Sequence, residues 1–154
     1  MPHGRPRGFT LLELMVVVAI IAMATAAVSF ALREDSGTRL EREALRLSAM
    51  LESARAQSLT SGLPVVWRVR PHGFEFIGLP RARAGDGPTP SEGAHQWLNA
   101  DTGAQVLQPP GATSLVLGPE PLIPAQRIAL GLGERRLVLA TDGLGPFRVT
   151  PDAP

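Results

Sequence analysis

The feature that most constrains this 154-residue chain is a run of 24 residues, 9–32, that is apolar except at Thr10, Glu13, Thr25 and Ser29. As a helix rising about 1.5 Å per residue it would be about 36 Å long, against a hydrocarbon core of about 30 Å. Its middle, Leu14-Met15-Val16-Val17-Val18-Ala19-Ile20-Ile21-Ala22-Met23-Ala24, is apolar on every face. An ordinary surface helix keeps a polar face, so the run predicts a membrane span rather than a buried core helix. Arg5 and Arg7 precede it and the mixed Arg33-Glu34-Asp35 follows, which places the N-terminus in the cytoplasm by the excess of positive charge. Ala24, Ala26 and Ala27 imitate a signal-peptidase site. The run is nevertheless longer than a signal core and carries a carboxylate near its start.

That carboxylate is Glu13. A charge at the centre of a bilayer costs about 2.5–3.5 kcal/mol, less near the interface, and therefore calls for a partner. The surrounding Gly8-Phe9-Thr10-Leu11-Leu12-Glu13 resembles the processing motif of the type IV pilin-like superfamily, which includes the pilins and the type II secretion pseudopilins. The resemblance implies that a prepilin peptidase cuts between Gly8 and Phe9, that Phe9 becomes the N-methylated N-terminus, and that Glu13 is the assembly carboxylate. The physical logic agrees: a free amine on one subunit can neutralise Glu13 of a neighbour where an unpaired charge is costly. Such a cut would leave 13 arginines against 14 acidic residues, so the leader's charge says nothing of the mature surface.

Beyond the span, Leu40, Ala44, Leu47, Leu51, Ala54 and Ser58 recur at steps of four and three, one stripe of a helix. Arg39, Arg42, Glu43, Arg46 and Gln57 fall on other faces, and Asp35–Arg39, Glu43–Arg46 and Glu52–Arg55 have ion-pair spacing. Gly62 and Pro64 end the helix. One long helix over about 9–61 is expected, its second half packed on a sheet, with a break conceivable at Ser36-Gly37. The period then changes to two. Strands are expected at 65–69, 74–77, 113–117, 127–130, 135–140 and 147–150, with turns at Pro71-His72-Gly73 and Thr141-Asp142-Gly143. Residues 80–93, rich in Pro, Gly and charge, read as an exposed mobile loop. The expected organisation is a leader at 1–8, a transmembrane helix at 9–32, its amphipathic continuation at 33–61 and a β-rich head at 62–154. The fold class is α+β, a pilin-like long helix on a small antiparallel sheet.

Signals for chemistry are few. All 15 basic residues are arginine, the formal net charge is +1, and no basic cluster suggests nucleic acid. There is no cysteine, hence no disulfide, thiol nucleophile or thiolate metal site. His3 lies in the leader, while His72 in a turn and His95 beside a loop read as isolated surface residues rather than metal ligands. No Gly-x-Ser-x-Gly, nucleotide loop or His-Glu-x-x-His occurs. Gly131-Leu132-Gly133 reads as a turn. Asp142-Gly143 also reads as a turn, a lone Asp offering too few oxygens for calcium. Trp67 and Trp97 could form a carbohydrate platform but more simply serve a core, and Arg135-Arg136 reads as a solvated strand edge. No catalytic residue, metal or cofactor is expected.

The segment 47–58, then Gly62-Leu63-Pro64-Val65 and Gly73-Phe74-Glu75-Phe76, with the C-terminal Asp142-Gly143-Leu144-Gly145-Pro146-Phe147-Arg148-Val149, is similar to the H class of minor pseudopilins. Residues 79–110 match no quotable pattern. The resemblance implies a structural part of the periplasmic pseudopilus, near its tip, that helps export folded proteins across the outer membrane. The implied setting is a single pass through the bacterial inner membrane with a periplasmic head. Implied partners are the I, J, K and major G pseudopilins, the prepilin peptidase and, open at this point, the exoprotein. An alternative is a T/U-type minor pilin of type IV pili; a distant one is a membrane-anchored enzyme or binding module.

Overall fold

A computed structural model describes residues 10–81 and 90–150, with the side chains of 27–35 excepted. The leader, the proposed cut site and the tip of the expected loop lie outside the described residues. The chain divides into two compact units, Met1–Asp35 and Ser36–Pro154. One helix, α1 (Leu11–Ser61), runs without interruption through the expected break at Ser36-Gly37.

In the first unit every residue from Thr10 to Ala26 is exposed, including Leu11 at 78 % and Met23 at 75 %. Among the described residues no helix is long and apolar enough to cross a membrane.

The second unit is an α+β head, in which the helix packs on antiparallel sheets. Leu40, Ala44, Leu47, Leu51, Ala54 and Ser58, the stripe expected from the periodicity, are all buried. Gly62 closes α1 with a backbone bond of 2.9 Å to the Ser58 carbonyl and a φ of 69°, the left-handed cap that favours glycine. Among the described residues eight strands follow: β1 (Val66–Arg70), β2 (Gly73–Ile77), β3 (Gly93–Gln96), β4 (Gly103–Gln108), β5 (Ser114–Val116), β6 (Gln126–Leu132), β7 (Arg135–Thr141) and β8 (Arg148–Thr150). They form two four-stranded sheets, ordered β3-β2-β1-β5 and β4-β6-β7-β8. All their pairings are antiparallel.

One apolar cluster joins the helix to both sheets, through Trp67, Phe74, Phe76 and Leu115 on one side and Val106, Ile128, Leu130 and Leu139 on the other. Phe74 is its centre. Its ring lies 4.8 Å from Trp97, 5.8 Å from Phe76 and 6.2 Å from Trp67. Both tryptophans are buried, which removes them as a carbohydrate platform and assigns them to the core.

Three expectations are corrected. The segment 80–93 is not loop throughout: Gly93 opens β3, and Glu92 N–H bonds the Pro80 carbonyl at 3.0 Å to close the base of the excursion. β4 was not expected at all. Within the Gly131-Leu132-Gly133 turn, the first two residues belong to β6 and only Gly133, with a φ of 60°, turns the chain.

Candidate functional site

The segment proposed to carry assembly begins where α1 begins. Thr10 supplies the cap: its hydroxyl Oγ1 accepts the Glu13 N–H at 3.2 Å. Thr-x-x-Glu is the spacing of a capping box, so Thr10, the second residue of the apolar run, fixes where the helix starts. Glu13 thereby sits in the first turn, where the helix dipole favours a carboxylate. Gly8 and Phe9 lie outside the described residues. The capping role of Thr10 escapes the sequence reading, although the Thr-x-x-Glu spacing was there to find.

In the head, α1 presents polar side chains inward at two levels. At the first, Glu43, expected on a face other than the apolar stripe, is only 1 % exposed. Its carboxylate accepts the Leu98 N–H and pairs with Arg46 at 3.0 Å. Arg46 also donates to the Gln96 carbonyl at 3.1 Å and stands over the Phe74 ring, 5.9 Å from its centre. A buried carboxylate is tolerable because both a main-chain donor and a guanidinium meet it. The result ties the end of β3 to the helix.

The second level lies at Ser48, Glu52 and Arg55, spaced four and three. Ser48 Oγ donates to the Phe147 carbonyl at 2.6 Å, and Glu52 Oε1 accepts the Phe147 N–H at 2.9 Å. Arg55 donates to the carbonyls of Gly143 (2.6 Å), Pro121 (3.1 Å) and Gly145 (3.3 Å). The expected Glu52–Arg55 pair is therefore replaced by contacts of each with the backbone of the C-terminal turn. These bonds unite the two stretches most suggestive in the sequence, 47–58 and 142–149. Asp142 is a turn residue: Oδ1 accepts the N–H groups of Gly145 at 2.8 Å and Leu144 at 3.0 Å. Those bonds, Gly145's first, hold its carboxyl below the usual range.

His72 is exposed in its turn, as expected. His95 is not beside a loop but within β3, half-buried, stacked on Phe74 at 5.4 Å with Nε2 2.9 Å from the Ser91 carbonyl. Among the described residues no group of three or more His, Cys, Asp or Glu could hold a metal ion. Arg135 and Arg136 are exposed at the start of β7, and the Arg135 guanidinium lies against Gly37 of α1.

Comparison with known proteins bears on the N-terminus first. The model of the prokaryotic N-terminal methylation motif matches residues 4–29, a stretch containing Gly8, Phe9 and Glu13. The chain is 33 % identical over 78 residues to type II secretion system protein H of Aeromonas hydrophila, a match covering 50 % of this chain and 43 % of the relative. It is 41 % identical over 75 residues to type II secretion system protein H of Escherichia coli K12, covering 43 % of this chain and 44 % of the relative. The chain thus spans less than half the length of either curated relative. No solved structure is significantly similar to it. The chain is thus similar to the N-terminal methylation motif at its start and, over about half its length, to type II secretion system protein H.

Proposed function

We propose that this chain is a minor pseudopilin of type II secretion, a structural subunit of the pseudopilus that helps move folded proteins across the outer membrane. The observation that carries the reading is the methylation motif opening directly into an exposed apolar helix. A run of large apolar side chains exposed on every face needs a cover, and a membrane before assembly and neighbouring helices after it would each supply one. In this reading prepilin peptidase cuts between Gly8 and Phe9, Phe9 is N-methylated, and residues 9–32 span the inner membrane with the N-terminus in the cytoplasm. The head, 62–154, then faces the periplasm, and 33–61 connects the two. Glu13 pairs with the Phe9 amine of an adjacent pseudopilin, where low dielectric makes an unpaired charge costly. The partners are the I, J, K and G pseudopilins, and the chain acts by assembly and not by catalysis.

Crosslinking in intact membranes, followed by purification of this chain and mass spectrometry of its partners and its own N-terminus, tests the reading. The expected result is a methylated Phe9 with I, J and K pseudopilins attached. The same N-terminus attached to type IV pilins would move the function to pilus assembly, and an uncut chain with neither would overturn both.

A further inference from the structure

We infer that Arg55 is a resident cation: its guanidinium fills a cage of main-chain carbonyls as a bound metal ion would, and its charge, not its bulk, fixes the 143–147 turn to α1. The inference concerns the head alone and does not depend on the proposed function. Arg55 is 6 % exposed. A buried charge is ordinarily met by an opposite charge, yet Glu52, three residues before it, and Asp142, in the turn that it meets, are engaged elsewhere. Glu52 accepts the Phe147 N–H, and Asp142 accepts Leu144 and Gly145. What meets the guanidinium is three carbonyl oxygens, from Pro121 in one loop and Gly143 and Gly145 in another.

Carbonyls converging on one point are the coordination chemistry of a hard cation. Their dipoles repel one another unless positive charge sits between them. The planar guanidinium suits the task, since it offers several donors in fixed directions. The turn around it is otherwise held by Thr141, whose Oγ1 donates to the Gly145 carbonyl at 2.6 Å and accepts the Gly143 N–H at 3.0 Å, and by the Ile123 N–H, which donates to the Gly143 carbonyl at 3.5 Å. These shape the turn but do not attach it to the helix. Arg55, with Glu52 and Ser48, provides that attachment.

The test uses the full chain in detergent, following thermal unfolding and hydrogen exchange of the Phe147 amide, with Arg55→Met, Arg55→Ala and Arg55→Lys. Methionine keeps an apolar stem without the charge. It should melt roughly 5–10 °C lower, and Phe147 exchange should rise about tenfold or more while β1 and β2 exchange as before. Arg55→Ala leaves a guanidinium-sized vacancy, so methylguanidinium at tens of millimolar should recover most of its lost melting temperature. The same ligand should do nothing for Arg55→Met. A methionine variant that melts and exchanges like the parent would overturn the inference, as would an alanine variant indifferent to methylguanidinium. Should the alanine variant fail to fold, Arg55→Lys decides. Retained charge should recover at least half of what methionine loses, and a lysine variant no better than methionine would count against the proposal.

Discussion

Glu75 is held between two guanidinium groups on the face of β2 turned away from the helix. Arg68, its cross-strand partner, donates to Oε1, and Arg70 donates to Oε2 at 2.9 Å. The hydrogen bond from Arg68, assisted by the charges of both arginines and opposed by burial, keeps the carboxyl below the usual carboxylate range. A carboxylate whose folded pKa is depressed adds stability above its unfolded pKa and loses it as pH falls through the folded one. Glu75→Gln should therefore be less stable than the parent at neutral pH, and the difference should vanish in acid below the ordinary carboxylate range. Both arginines are about half exposed, so solvent screening limits the neutral-pH difference to about 1 kcal/mol. Denaturant melts at a series of pH values measure it.

Glu13 belongs to the same scale but to the proposed assembly. Glu13→Leu keeps the Thr10 cap and raises the hydropathy of the run, so the chain should still be cut and methylated. Without its carboxylate it should secrete at least about tenfold less, the order expected from losing a pairing at membrane depth. Secretion assays beside the intact mass of the mature chain separate the two effects.

At the scale of the element, the turn before β8 depends on Gly143. Its φ is 93°, and a Cβ there would fall 1.8 Å from the Ile123 carbonyl, a position no side chain can share. Gly143→Ala should cost about 2–3 kcal/mol, seen as a fall in melting temperature. The helix stripe was legible because its apolar positions follow the 3.6-residue period with nothing else to explain them. Six strands were legible for the matching reason, being rich in Val, Ile, Leu and Phe. β3 (Gly-Ala-His-Gln) and β4 (Gly-Ala-Gln-Val-Leu-Gln) were not, since their place is set by backbone pairing to β2 and β6. The inward turn of Glu43, Glu52 and Arg55 was hidden for a related reason. Charge on a helix ordinarily means solvent, and the groups that receive these side chains are main-chain atoms, which no residue type announces.

For the whole molecule, the proposed maturation divides the chain at Gly8. Glycine at that position lets the protease approach the backbone closely. Gly8→Val should leave an uncut precursor on a gel and by intact mass, whereas the mature mass in that variant would reject the assigned cut. The head should be untouched, since its core is formed by residues from 40 onward.

The bonds from α1 to the C-terminal turn span 88 to 99 residues of sequence. A chain made N-terminus first completes its longest helix long before the atoms that satisfy it exist. Until residues 143–147 emerge, Glu52 lacks its main-chain donor, Arg55 has at most the Pro121 carbonyl of its three acceptors, and the apolar stripe beside them has only part of its cover. High sequence separation of this kind slows folding, because loop closure must precede the contacts that reward it. The head is thus a structure that closes from its end, and a chain that stops short of Gly143 retains nearly all of its apolar core residues yet lacks the latch.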